Sequence, residues 1–407
     1  MNIKHCRVCN SKNLEDVIDL GDQPWCNDFV EKEMTGKENL YPLVLCYCHD
    51  CTTLQVKYTV PKEIMYSDHT YLSGSNKGII KHFKDVARSV SKKVILKNEL
   101  VIDIGSNDGT LLKCFDSFDV EVLGIEPSKT TAEIARKNGI NTLNSFFNKE
   151  TANLIQKEYR KPKVISAANV FYHVEDLHSI LSGIKDILSK DGVFVIQASY
   201  LPNLINLKEF DIMYHEHLLY YRVGNLKTLL DIYDLEIFDI EEANVHGGSF
   251  VAFVGHKNQF SINKIVNKMI ENEELEKFNT VNKYKEFNNQ IKHLKEELIA
   301  LIYELKEEGK TIAAYGAPAK GTVLLNYCGL NSTHLDFSVE VNDLKYFKFI
   351  PNTGIQILPE ASVDEPDYYL LLSWNFFNVF SQSKEFKSGL RKFILPMPKP
   401  HIESNTN

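Results

Sequence analysis

Tyr214-His-Glu-His217 sets a phenol, two imidazoles and a carboxylate in four consecutive residues. These are the groups that acid–base chemistry near neutral pH draws on. His173 stands four residues after Asn169, which ends the strand-like run KVISAAN. A single histidine is more often a satisfied structural residue than a catalyst. Grouped at the ligand edge of one sheet, these become candidate general bases. Read as an extended segment, the tetrapeptide predicts Tyr214 and Glu216 on one side and His215 and His217 on the other.

A second constellation is Val101-Ile-Asp-Ile-Gly-Ser-Asn-Asp-Gly-Thr110. It reads as a buried strand, a glycine turn and the start of a helix, with Gly105 and Gly109 allowing the backbone to approach a ligand closely. About 20 residues on, VLGIEP ends a strand on Glu126, where a carboxylate can accept from both hydroxyls of a ribose. The turn departs from G-x-G-x-x-G, which disfavours a nicotinamide cofactor. The expected ligand is S-adenosylmethionine, held by Asp103, Gly105, Asn107, Gly109, Glu126 and Pro127. Phe146, from Asn144-Ser-Phe-Phe147, would border the adenine and Asn169 would lie under the sulfonium.

Cys6-Arg-Val-Cys9 and Cys48-His-Asp-Cys51 are two C-x2-C knuckles. Each can offer two thiolates to one tetrahedral ion. Cys46 is a nearby competitor that the spacing disfavours. Four thiolates leave no open coordination position, so one structural zinc is expected, holding a segment too short to fold by burial alone.

These groups need elements to carry them. Residues 1–70 form a turn-rich zinc-binding module. Residues 71–257 alternate apolar strands (LVIDIG, VEVLGIE, KVISAANV, GVFVIQAS) with amphipathic helices, predicting a Rossmann-like parallel sheet of the class I methyltransferase type. Residues 258–407 begin with a Lys- and Glu-rich helical stretch whose Leu294, Leu298, Leu301 and Leu305 mark one packing face. KTIAAYG, LDFSVEVND and DYYLLLSW then predict a second Rossmann-like α/β domain, and HIESNTN reads as a frayed tail. Tyr315-Gly-Ala-Pro-Ala-Lys-Gly-Thr322 brings Gly316, Lys320 and Gly321 to a helix N-terminus, a place suited to a pyrophosphate.

Forty-three per cent hydrophobic and 25% charged residues describe a globular chain. A formal charge of −8 argues against nucleic acid as a partner. No run is long enough to span a bilayer and the N-terminus lacks a signal-peptide core, so a cytoplasmic protein without membrane partners is expected. A monomer is the expected state.

CRVC, LGDQPWCNDF, CHDC, VIDIGSNDGTLL, ANVFYH, YHEHLLYY, HGGS and YGAPAKGTVLLNYCG together resemble the three-domain sugar C-methyltransferases. The resemblance spans nearly the whole chain. It implies methylation of carbon 3 of a nucleotide-linked 4-keto-deoxysugar. His217 would be the base, Tyr214 and Glu216 would position the sugar or steady the enolate, and Tyr71 and His173 would line the same pocket. His246, Ser249 and Tyr315, with Gly316, Lys320 and Gly321, would hold the substrate, the last group its nucleotide. Two stretches depart from the family: H-G-G-S-x-R reads His246-Gly-Gly-Ser-Phe-Val251, losing a cation, and P-G-T-x-I reads Pro351-Asn-Thr-Gly-Ile355. Methyl transfer to an oxygen or nitrogen, and a non-catalytic zinc-containing binding protein, are the competing readings.

Overall fold

The strand-forming runs of the N-terminal segment pair first. In the computed structural model, which describes residues 1–65, 72–245 and 247–405, β1 (Leu14–Pro24), β2 (Leu40–Cys48) and β3 (Leu54–Val56) form an antiparallel sheet. Its apolar positions Val17, Leu20, Leu43 and Leu45 are buried, but in a core shared with the C-terminal unit. The cysteine knuckles belong to a different core, with the central sheet. A segment this short cannot enclose a core alone, and it is completed by its neighbours on two sides.

The central unit follows the expected alternation. β4 (Leu100–Ile104), β5 (Glu121–Ile125), β6 (Thr142–Leu143), β7 (Val164–Ala168) and β8 (Val193–Ser199) are parallel. The LVIDI run is buried throughout, as a strand covered on both faces must be. The chain then leaves this unit: β9 (Leu219–Tyr220) pairs with β3 of the N-terminal sheet. It returns as β10 (Leu235–Ala243) and β11 (Ser249–His256), an antiparallel pair whose β11 adds antiparallel to β8. The sheet order is β10-β11-β8-β7-β4-β5-β6. The connections reverse direction between β4 and β7, so the loops after those strands diverge and leave a crevice at the carboxyl edge.

The C-terminal unit is a second Rossmann-like sheet. β12 (Ile312–Tyr315), β13 (Ser338–Glu340), β14 (Ile357–Pro359), β15 (Tyr368–Leu371) and β16 (Lys392–Leu395) are parallel, in the order β14-β13-β12-β15-β16. The frayed tail expected at HIESNTN is corrected: β17 (His401–Ser404) is an antiparallel edge strand on β16. The ladder with Lys392–Leu395 supplies backbone partners that the polar sequence does not advertise.

The Lys- and Glu-rich stretch is two helices, Lys264–Leu275 and Val281–Glu307, separated near Lys277, whose φ is 63°. Tyr284, Phe287, Ile291, Leu294, Leu298, Ile302 and Leu305 of the longer helix are buried against both β1 and the helix Ala319–Cys328, whereas Leu301 is half-buried. No helix among the described residues is long and apolar enough to cross a membrane.

Leu294, fully buried in the core that joins the first and last units, is the position to test that joint. Leu294→Ala should cost about 2–5 kcal/mol, read as a lower denaturant midpoint, with the binding of S-adenosylmethionine to folded protein unchanged.

Candidate active site and metal centre

The four cysteine sulfurs converge. All lie within 4.8 Å of one another, with Cys6–Cys51 at 3.5 Å and Cys9–Cys48 at 3.6 Å. A tetrahedral ion bonded at about 2.3 Å sets its sulfurs about 3.8 Å apart, so the group fits zinc. The first knuckle is closed by Asn10 N–H donating to the Cys6 carbonyl, the second by Cys48 N–H donating to that of Thr53. Cys46 lies outside the group.

At the crevice, Gly105 adopts φ +67°, and a Cβ there would stand 2.5 Å from Val170 of the loop after β7. Glycine is what lets the two loops close to this distance. The Asn107 amide donates to Glu126 at 2.9 Å and Ser128 N–H to its other oxygen at 2.8 Å, so the carboxylate is fixed at the end of β5. Glu126, Pro127, Asn107, Gly105, Phe146 and Asn169 all line one cleft of about 1710 Å³. Asn169 has φ 57°, and its buried Oδ1 lacks a hydrogen-bond partner, an orphan that suits a ligand donor.

Asp103 and Gly109 stand behind this wall. Asp103 is buried, accepts from Ser166 Oγ at 2.6 Å and is pushed up to about 7 by burial. Gly109 packs on Ile140, where a Cβ would come within 2.5 Å.

The same cleft holds the histidine cluster, and here the expected side-to-side alternation is corrected. Residues 214–217 form a turn, with His217 N–H donating to the Tyr214 carbonyl at 2.9 Å. The turn stacks Tyr214 on His217, ring centres 4.1 Å apart, and sends His215 toward Tyr41 and Pro42 of the N-terminal module. His173 and His217 have ring centres 5.1 Å apart, with Tyr172 in contact with both.

Each of these two imidazoles is held by a carbonyl. His217 Nδ1 is 2.9 Å from Ile212 O, and His173 Nδ1 is 2.7 Å from Glu216 O. A carbonyl only accepts, so each Nδ1 carries the proton and, in the neutral ring, each Nε2 carries the lone pair. Burial and the nearby Glu216 charge hold the Tyr214 phenol well above its usual range, so it stays protonated and able to donate.

Glu216 accepts from Trp25 Nε1 at 2.7 Å and Asn27 Nδ2 at 2.8 Å. The sequence reading missed both donors as site residues, although they sit in the quoted LGDQPWCNDF stretch. It also missed the turn that precedes Tyr214. Asp211 accepts from Trp374 Nε1 at 2.9 Å and lies 3.7 Å from Lys320 Nζ. Glu209 lines the cleft, and burial, reinforced by Asp211, pushes its carboxyl up to about 8.

Of the C-terminal candidates, Lys320 reaches the cleft, 4.5 Å from the Trp374 ring. Lys345 and Lys348 join it there, unforeseen from sequence. The Ala317 amide at the head of the Ala319–Cys328 helix is already given to Glu340 at 2.9 Å. Tyr315 packs among Tyr369, Phe380 and Phe393 and hydrogen-bonds Glu360 and Arg391, away from the cleft. Gly316 (φ +86°) and Gly321 allow close packing on Ser373 and Leu372. Ser249 is buried and donates to the Val245 carbonyl. Val251, where the family carries a cation, packs in an apolar core. Tyr71 and His246 lie outside the described residues.

Comparison with known proteins divides the chain in three. Residues 6–66 match a zinc binding domain, residues 81–240 a methyltransferase domain and residues 244–398 a C-methyltransferase C-terminal domain. The C-methyltransferase NovU of Streptomyces niveus is 30% identical over 99% of this chain and 97% of its own length. Among solved structures, the magnesium protoporphyrin IX methyltransferase of Synechocystis PCC 6803 with bound SAH overlaps 48% of this chain and 92% of its own, at 11% identity and TM-score 0.36. An S-adenosylmethionine-dependent methyltransferase of Clostridium acetobutylicum overlaps 44% of this chain and 92% of its own, at 11% identity and TM-score 0.35.

Two measurements check this geometry. Elemental analysis of folded protein should find about one zinc per chain, and Cys48→Ala should lose it. Gly105→Ala should weaken S-adenosylmethionine binding at least tenfold, on the order of 1.4 kcal/mol or more, by calorimetry.

Proposed function

The chain belongs to the S-adenosylmethionine-dependent C-methyltransferases, and on that premise we propose that it methylates carbon 3 of a nucleotide-linked 4-keto-deoxysugar. The observation that carries the reading is the pairing of His217, proton on Nδ1 and lone pair on Nε2, with a protonated Tyr214 stacked against it in the cleft that Asn169 borders.

A ketone is a weak carbon acid, so its α proton leaves only if a base and an oxyanion donor act together. His217 Nε2 takes the proton from the carbon next to the keto group. Tyr214 donates to the enolate oxygen that develops. His173, held in the same tautomer, lies beside His217 against Tyr172. Bound S-adenosylmethionine supplies a sulfonium methyl that such a carbon nucleophile accepts. Gly105, Asn107 and Glu126 form its cradle, with Asn169 at the strand end.

Glu216 ties the turn to Trp25 and Asn27, so the N-terminal module closes one side of the cleft. Lys320, Lys345 and Lys348, which also line the cleft, suit the diphosphate of a nucleotide sugar. The product suits deoxysugar biosynthesis for surface polysaccharides or natural products.

Incubation with a panel of nucleoside-diphosphate 4-keto-deoxysugars should give a mass gain of one methyl, located on carbon by NMR. A methyl on oxygen or nitrogen would replace this reading with its competitor. His217→Ala should lower turnover by about 100- to 10,000-fold while leaving S-adenosylmethionine affinity within a few-fold. Undiminished turnover would remove His217 as the base.

A further inference from the structure

Glu209 is 1% exposed, yet its side chain lines the catalytic cleft, and its Oε1 has no hydrogen-bond partner. The surrounding fold makes room for it. A Cβ on Gly247 would lie 2.4 Å from one carboxyl oxygen and 2.6 Å from the other, so the glycine loop before β11 is shaped around this group. The neighbouring Gly248 carbonyl accepts from Tyr200 N–H, which brings Ser199 to the same loop. Ser199 also lines the cleft, and its buried Oγ likewise has no partner. Asn169 N–H bonds to the carbonyl of Gln197, two residues earlier on β8, and carries the third unpartnered atom on this wall. Folded chains rarely leave buried polar atoms unpaired, and three along one stretch of a ligand cleft mark a polar surface built for a polar ligand.

We propose that Glu209 binds a ring hydroxyl of the acceptor sugar and thereby sets which sugars the enzyme accepts. The proposal rests on the sugar reading above and extends it from the reacting carbon to the recognition of the ring. A hydroxyl both donates and accepts, and the wall presents complementary groups. Asn169 Oδ1 accepts, Ser199 Oγ does either, and a neutral carboxylic acid does both. The charged groups facing Glu209 among the described residues are Asp211 on its own turn and Lys320 from the C-terminal unit. Burial outweighs the lysine, so the carboxyl is protonated at neutral pH and loses its donor as pH rises through about 8.

The test compares Glu209→Leu, Glu209→Gln and the parent on the best acceptor found in the 4-keto-deoxysugar panel. Leucine should raise the acceptor KM about 10- to 100-fold, as expected when a site loses a hydroxyl partner. Its S-adenosylmethionine affinity, by calorimetry, should match the parent's. Glutamine, which keeps a donor and an acceptor, should restore KM to within about threefold at pH 7. The parent's KM should climb above pH 8 and that of the glutamine variant should not.

An unmoved KM in the leucine variant overturns the proposal, as does a fall in kcat at constant KM. If leucine prevents folding, the glutamine variant decides, since a KM that still climbs above pH 8 also overturns it. Parent protein that binds S-adenosylmethionine but methylates no panel member defeats the sugar reading and this subsite together. Methylation with an unmoved KM removes Glu209 alone.

Discussion

The Glu216 carboxylate, buried and gripped by the Trp25 indole and the Asn27 amide, is the interaction on which the site's geometry rests. A charge in that position must be paid for with donors, and each hydrogen bond to an ionised group contributes about 1.5–3 kcal/mol. Its backbone carbonyl meanwhile fixes His173. One residue therefore attaches the N-terminal module to the turn with its side chain and sets an imidazole tautomer with its main chain. Asp211 does the corresponding job toward the C-terminal unit through Trp374 and Lys320, and Ile212, next in sequence, orients His217. Residues 209–217 form a short hub held from three directions.

This hub explains why the central sheet alone would be insufficient. The crevice between β4 and β7 is a general consequence of strand order and gives a place for a nucleoside-bearing ligand. Histidines on an unsupported loop would be too loosely placed for proton transfer, which requires hydrogen-bond reach at the reacting atom. The flanking units supply that support from outside the sheet. The four-cysteine group serves the same end at a distance, because the segment carrying Trp25 and Asn27 is anchored in the sheet those knuckles close.

Much of this was legible in the residues. LVIDIG, KVISAAN and GVFVIQAS are apolar runs that only a covered strand tolerates, and the cysteine spacing speaks for itself. The turn at Tyr214–His217 was not legible, because no glycine or proline marks it. Contacts with Pro42, Trp25 and Ile212, distant in sequence or on the main chain, decide its shape. The edge strand His401–Ser404 is similar, since its stability comes from the ladder on β16 rather than from β-forming residues. Glu209 and Asp211 carry no motif that marks them in the sequence, and only their burial beside Gly247 and Trp374 distinguishes them.

The two-residue strand Leu219–Tyr220, lying beside Leu54–Val56, has a consequence for how the chain is made. The N-terminal sheet leaves the ribosome without its fourth strand, which follows only with residue 220, roughly 8–33 s later at ordinary rates of synthesis. It lacks its apolar cover from the helix Val281–Glu307 for longer still. During that interval a zinc held by Cys6, Cys9, Cys48 and Cys51 would cross-link the nascent segment across its two knuckles before either flanking core exists.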